Sequence, residues 1–254
     1  MADKELIRER FAAGFERYDT LALVQQEICD ELAGAVMRHV PRTVARALEV
    51  GAGTGFLTRR LVEYFPRTAW VFNDLAPASR EYVGRYTGGV EAQYLWGDAE
   101  TAEFPPELDL LVSASTVQWF DDLPRFLGKS FAALRRGGFL ALSTFGPDNF
   151  SQIRALTGEG LCYYAPDALS ALVRRAGFTL LWERACCRTL WFSSPVEVLR
   201  HIRETGVNAT VRRSWTPRRL REFCEEYGER FASSDRDGRV PLTYHPVLLV
   251  ARKG

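Results

Sequence analysis

Histidine is scarce in this 254-residue sequence, and the three present, His39, His201 and His245, are too scattered to suggest a zinc site. The five cysteines, Cys29, Cys162, Cys186, Cys187 and Cys224, are odd in number and never form C-x-x-C. They read as reduced, packed thiols rather than disulfides or metal ligands, with Cys186 and Cys187 expected on opposite faces of one strand. No apolar run approaches the roughly 20 residues of a spanning helix, and the amino terminus, MADKELIRERF, is charged from the start. A soluble, cytosolic chain without metal or membrane contact is expected. An excess of one charge is also missing: the formal net charge is +1. With no N-P-P-Y-like element either, nothing supports chemistry on nucleic-acid bases.

What is present is an ordinary globular composition, 46% hydrophobic and 26% charged, at a length suited to one core with insertions. The first 45 residues read as helices, IRERFAAGFERYD and then LALVQQEICDELAGAVMRHV, ended by Pro41. Strand-like runs follow, RALEVGAG, TAWVFND, DLLVSAS and GFLALSTFG, with GFLTRRLVEYF and LPRFLGKSFAALRR as helices between them. That alternation predicts βαβ units and a parallel sheet covered by helices on both faces. Beyond STFGPDNF come a helix APDALSALVRRAG, a strand TLLWERACCRTLWF, helices at SPVEVLRHIRETG and TPRRLREFCEEYGERFA, and a closing strand VPLTYHPVLLVARK. Pro246 lacks a backbone donor, which argues for a strand edge, a bulge or a strand's first residue there, so the last strand need not be central.

The strand RALEV runs into GAGTG, Gly51 to Gly55, and then into a helix. Glycines at the carboxyl end of a strand let a ligand approach the backbone. A dinucleotide fingerprint would be G-x-G-x-x-G; this loop is G-x-G-x-G behind Glu49, and a carboxylate there suits a cation or amine better than a pyrophosphate. Two more acids follow at strand ends, Asp74 in FNDLAP, placed to accept from ribose hydroxyls, and Asp98 in WGDAE, placed to accept from an adenine amino group.

Glu49, the glycine loop, Asp74 and Asp98 together resemble the class I S-adenosylmethionine-dependent methyltransferases over residues 45 to 145. The resemblance implies a three-layer αβα sandwich around a seven-stranded, mostly parallel sheet whose last strand is antiparallel, with added amino-terminal helices and a helical lid insertion. It implies S-adenosylmethionine as cofactor, held by Tyr18, Glu49, Gly51, Gly53, Gly55, Asp74, Leu75, Asp98, Ala99 and Ser115. SASTVQWF would put Ser113 to Trp119 at the reactive end, with Trp119 excluding water. The corresponding division of the chain is a helical cap at 1–44, a cofactor core at 45–146, a region with the lid at 147–238 and a final strand at 239–254.

YDTLALVQ, SASTVQWFDD, LRRGGFLALSTFGPDNF, LRHIRETGVNAT and PLTYHP, in that order, are similar to the malonyl-acyl carrier protein O-methyltransferases of biotin synthesis. Ala52 departs from the cysteine often found in that loop, and Ser79 from a methionine after the D-x-x-P turn. The resemblance implies methyl transfer to the free carboxylate of a malonyl thioester, an acceptor already ionised at neutral pH that needs no general base. Tyr18, Trp119, Arg200, His201 and Arg203 are the substrate-positioning candidates, with one of Arg200 and Arg203 expected to face inward as a two-pronged carboxylate partner. Arg212, Arg213, Arg218 and Arg219 would meet an acidic carrier protein. The rivals are a carboxyl methyltransferase of a small acid, of the trans-aconitate type, and a non-catalytic S-adenosylmethionine-binding assembly protein. The oligomeric state is left open.

Overall fold

The computed structural model describes residues 4–205 and 216–254, with residues 10–14 and 16–19 as backbone only. Two helices, α1 (Lys4–Leu21) and α2 (Leu23–His39), precede the alternating core of β1 (Arg46–Val50), α3 (Phe56–Tyr64), β2 (Ala69–Asp74), α4 (Ser79–Gly84), β3 (Ala92–Trp96), β4 (Leu108–Ala114), α5 (Leu123–Ala133) and β5 (Leu134–Phe145). The remainder is α6 (Ser151–Thr157), α7 (Pro166–Arg175), β6 (Phe178–Ala185), β7 (Arg188–Phe192), α8 (Pro195–Glu204), α9 (Pro217–Phe231), β8 (Val240–Tyr244) and β9 (Pro246–Lys253). Three of these helices start on a polar cap followed by proline in the first turn: Asp122, Ser194 and Thr216 accept from the backbone N–H of Arg125, Glu197 and Arg219.

Seven strands form one sheet in the order β3-β2-β1-β4-β5-β9-β6. β1 to β5 pair in parallel, while β9 runs antiparallel to both neighbours, so the antiparallel last strand is present as expected. Alternate residues of each inner strand serve opposite faces. Ala47, Leu110, Phe139, Ala141, Leu248 and Val250 join α2, α3, α8 and α9 in one apolar cluster. Leu48, Val50, Leu111, Leu140, Leu142 and Leu249 join α5 and α7 in the other. Burial on both faces explains why these strands read as unbroken apolar runs.

Two runs that look continuous in sequence are each broken by the structure. TLLWERACCRTLWF divides into β6 and β7, and VPLTYHPVLLVARK divides into β8 and β9, with β7 and β8 paired in a separate two-stranded sheet. Cys186 and Cys187 therefore occupy the corner between strands instead of opposite faces of one. The corners face each other: Cys186 N–H donates to the Pro246 carbonyl at 3.3 Å. Pro246 is the first residue of β9, where its missing donor costs nothing, and β9 nevertheless lies inside the sheet between β5 and β6. The final segment is thus two strands, not one. LRR at 134–136 starts β5 and does not extend the preceding helix, and β3, α4 and α6 are elements that the apolar pattern did not single out. Among the described residues, no helix is long and apolar enough to cross a membrane.

Candidate active site

The carboxyl ends of β1, β2, β3 and β4 open into a single cavity whose wall includes Glu49, Gly51, Ala52, Gly53, Asp74, Leu75, Asp98, Ala99, Ser115 and Trp119. Its floor is the glycine loop. Gly51 and Ala52 donate their N–H groups to the Asn73 carbonyl at 2.8 and 3.0 Å, and Gly53 N–H donates to Asp74 Oδ2 at 2.8 Å. Gly51 has φ +73°, and a Cβ there would sit 2.1 Å from Thr116 Oγ1, so this position tolerates no side chain. Ser79, the residue departing from the methionine pattern, fastens the loop from outside by donating its hydroxyl to the Gly53 carbonyl at 2.7 Å.

Three carboxylates meet the cavity in different states. Glu49 is buried and accepts from Thr58 Oγ1 at 2.7 Å; burial first, and the Asp74 charge further, push its carboxyl up to about 8. Asp74 accepts from Gly53 and, at 2.8 Å, from Ala76 N–H, and burial outweighs these bonds to push it up to about 6. Asp98 accepts from Lys4 Nζ at 2.6 Å and from Glu100 N–H at 2.9 Å. Lys4 also pairs with Glu100, whose carboxylate accepts from Asp121 and Asp122 N–H at 3.0 and 2.7 Å. The amino-terminal helix, expected to close over the cofactor through Tyr18, reaches the cavity through Lys4, Ile7, Arg8 and Phe15.

Ser115 stands at φ +50°, its N–H donating to Ser143 O and Oγ, and its own hydroxyl is buried without a protein partner. Trp119 is 7% exposed in a 3-10 turn (Val117–Trp119) and packs with Ile7, Leu75 and Leu161 beside the cavity. Tyr18 lies on α1, but its side chain is outside the described residues, as are Arg212 and Arg213. Arg200 and Arg203 are exposed and do not line the cavity. The expected inward arginine is therefore not one of this pair in the structure: α8 buries Val198 and Ile202 on its opposite face. His201 is also outside the wall and bonds the Tyr244 hydroxyl at 2.7 Å. Arg218 pairs with Glu222 at 2.8 Å and Arg219 lies 4.0 Å from Glu159.

Gln25, Lys4 and Glu100 escaped the sequence reading because only contacts between distant segments bring them to the site, and Ser79 entered it only as a departure from the methionine pattern. Away from the cavity, the corners of the two sheets bring Asp148, Cys187 and His245 within 4.8 Å of one another. His245 Nδ1 accepts from Asp148 N–H at 3.2 Å.

The cavity suits S-adenosylmethionine on its own evidence. Its wall carries three buried polar atoms with no protein partner, Gln25 Oε1, Thr54 Oγ1 and Ser115 Oγ, and buried polar groups need partners. The ligand's adenine amine, ribose hydroxyls, ammonium and sulfonium present donors and positive charge to an acidic wall.

The comparisons agree with that geometry. Residues 48–142 match the family profile described as a methyltransferase domain. The YcgJ protein from Bacillus subtilis superposes with a TM-score of 0.64 at 14% identity, over 88% of this chain and 98% of its own. Phosphoethanolamine N-methyltransferase 2 from Haemonchus contortus, solved with S-adenosyl-L-methionine, superposes with a TM-score of 0.54 at 16% identity, over 88% of this chain and 52% of its own. Fold and site together define a class I S-adenosylmethionine-dependent methyltransferase. Within that class, a malonyl-[acyl-carrier protein] O-methyltransferase from Bacteroides helcogenes is 38% identical over 98% of both chains. One of the same name from Chlorobium luteolum is 39% identical over 100% of this chain and 97% of its own. The chain belongs to the family of these O-methyltransferases.

Proposed function

We propose that this protein methylates the free carboxylate of a malonyl thioester carried on acyl carrier protein. The observation that carries the reading is the end-to-end similarity to relatives of that name, at 38% and 39% identity, which includes the segments outside the cofactor core. S-adenosylmethionine supplies an electrophilic methyl group on a sulfonium. A carboxylate oxygen displaces it in line, and because the acceptor is already ionised, no residue has to take a proton. The chain's own part is to bind and to dry the site. Glu49, Asp74 and Asp98 answer the cofactor's donors and positive charge, while α1 and Trp119 cover the cavity. Water exclusion then favours a carboxylate poised for attack over a solvated one.

The exposed guanidiniums of Arg200 and Arg203 suit the carrier instead of the acceptor carboxylate. With the exposed Arg221 of α9, they would meet an acidic partner, which speeds encounter and selects against neutral proteins. The priming of a biotin precursor is the pathway place that the family resemblance suggests.

The test is mass spectrometry of malonyl-acyl carrier protein incubated with the enzyme and S-adenosylmethionine, beside malonyl-coenzyme A and trans-aconitate. A methyl gained fastest on the carrier-bound malonyl group supports the reading. Equal or faster methylation of a free acid replaces it with a small-acid carboxyl methyltransferase, and no product with any acceptor replaces it with a binding role.

A further inference from the structure

Lys129 stands on α5 and spends its ammonium on the loop that follows β3. Its Nζ donates to the Ala99 carbonyl and, at 2.8 Å, to the Ala102 carbonyl, and it lies 3.9 Å from the centre of the Phe104 ring. Two carbonyls and a ring face thus engage an ammonium that has three protons to give. The loop is tied to α5 a second time from its own side, since Glu100 accepts from the N–H groups of Asp121 and Asp122 where the helix begins. Asp122 and Lys129 are separated by about 10 Å of helix, so two distinct anchors hold the loop against one rigid element.

What the Lys129 anchor does follows from the geometry of one peptide group. The Ala99 carbonyl and the Glu100 N–H belong to the same planar trans group and point in opposite directions. The carbonyl is taken by Lys129, and the N–H donates to Asp98 Oδ1 at 2.9 Å. Fixing one side of the plane fixes the other. Thr101 and Ala102 close the turn by donating their N–H groups to the Asp98 carbonyl at 3.0 and 2.8 Å, so Asp98 is held in backbone and in side chain. Lys4 meets the remaining oxygen, Oδ2, from α1. Asp98 and Ala99 line the cavity and Lys129 does not, so Lys129 reaches the site only through the peptide it grips.

We infer that Lys129 is a positioning residue for the purine end of the cofactor: by holding the Ala99–Glu100 peptide it aims the Asp98 carboxylate at the adenine amine. The inference rests on the reading of Asp98 as the acceptor for that amine. A hydrogen bond weakens steeply away from linear geometry, so a carboxylate free to turn would lose most of its preference for the donor. Lys129 thereby favours an aminopurine over a purine that lacks the amine, with no contact of its own to the ligand.

The experiment measures calorimetric dissociation constants of S-adenosylhomocysteine and of its deaminated analogue, in which hydrogen replaces the adenine amine, with wild type, Asp98→Ala and Lys129→Met. In the wild type, loss of the amine should weaken binding about 10-fold, the scale of a hydrogen bond to a charged group. Asp98→Ala should bring the two ligands within about two-fold of each other. Lys129→Met keeps the length of the side chain and removes its donors; the ratio should fall to about three-fold, with the deaminated ligand bound as in the wild type. A lysine that only braced the fold would weaken both ligands alike, so a ratio in Lys129→Met as large as in the wild type overturns the inference. A ratio that survives in Asp98→Ala overturns the reading of Asp98, and the inference with it. Should Lys129→Met fail to fold, Lys129→Ala, which lets water reach the two carbonyls, takes its place, and an undiminished ratio there has the same meaning.

Discussion

The two ends of the cavity are built by different physics. At the glycine-loop end the chain's own path makes the floor: Gly51, Ala52 and Gly53 are tied through their N–H groups to Asn73 and Asp74, and Ser79 pins Gly53 from the other side. At the Asp98 end a helix remote in sequence is held by charge, Lys4 lying between Asp98 and Glu100 with its side chain 25% exposed. A backbone floor is indifferent to salt and intolerant of added atoms. A partly solvated ion pair tolerates substitution and weakens with ionic strength. The site thus has a rigid end that defines the cofactor and an adjustable end that admits it.

The rigid end should break most completely. Gly51→Ala places a methyl inside van der Waals contact of Thr116 at a backbone angle that favours glycine, so both strain and overpacking apply. We expect a loss of roughly 2–4 kcal/mol of stability in thermal unfolding and loss of cofactor binding by more than about 100-fold in calorimetry, a figure of the size that such a change implies. The same substitution at Gly53, where a Cβ would meet nothing within 4 Å, leaves only the conformational cost of φ +54° and should be milder. Equal effects at the two positions would show that close approach to Thr116 is not what fixes the loop.

Between the ends lies a pH effect of intermediate size. Glu49 and Asp74 hold protons to about 8 and about 6 in the folded state, above their values in an unfolded chain. The folded state therefore binds more protons across this range, and stability of the unliganded protein is greatest in acid and declines as pH rises through these values. At ~1.4 kcal/mol per pH unit per proton, the decline amounts to a few kcal/mol. A cationic ligand favours the ionised carboxylates, so cofactor binding should release protons near neutrality and tighten with pH. Melting curves from pH 5 to about 8.5 check the first statement, and calorimetry in buffers of different ionisation enthalpy checks the second. Glu49→Gln should flatten the stability profile above about pH 6, leaving only the share belonging to Asp74. An unchanged profile in that variant would assign the effect elsewhere.

The rigid end was also the legible one. Glu49, the glycines and Asp74 stand in two short stretches, each a strand followed by its turn, so their spacing alone reports their geometry. Asp98 was readable for the same reason, but its partner Lys4 is 94 residues away. No local pattern encodes that pairing. Gln25 looked like one more position on an amphipathic helix; only the tertiary structure brings it to the cavity wall. The fold followed the same division. Alternating strands and helices predict the parallel core, whereas the corner at Cys186–Cys187 leaves no mark, since a period-two apolar pattern continues across it, and the corner at His245 is marked only by the missing donor of Pro246. Each break makes sense only because the other lies opposite it. The arginines misled for a related reason: their spacing fixes which of them share a helix face, and the burial of Val198 and Ile202 decides which way that face turns.

A smaller effect is expected at the adjustable end. Lys4 neutralises two carboxylates that would otherwise stand beside each other, and it does so from α1, whose Ile7 packs on Trp119. Removing the ammonium by Lys4→Ala leaves Glu100 with its bonds from Asp121 and Asp122 and leaves the floor untouched, so the fold should survive with little change. What weakens is the hold of α1 over the cavity. Cofactor dissociation, followed by stopped-flow tryptophan fluorescence, should become about three-fold faster in low salt, in keeping with a partly exposed pair worth under about 1 kcal/mol. The wild-type rate should climb toward that of the variant as salt shortens the Debye length to about 3 Å near 1 M, because screening and substitution remove the same attraction. Rates that differ equally at all salt concentrations would mean that Lys4 closes this end by packing its methylenes, not by its charge.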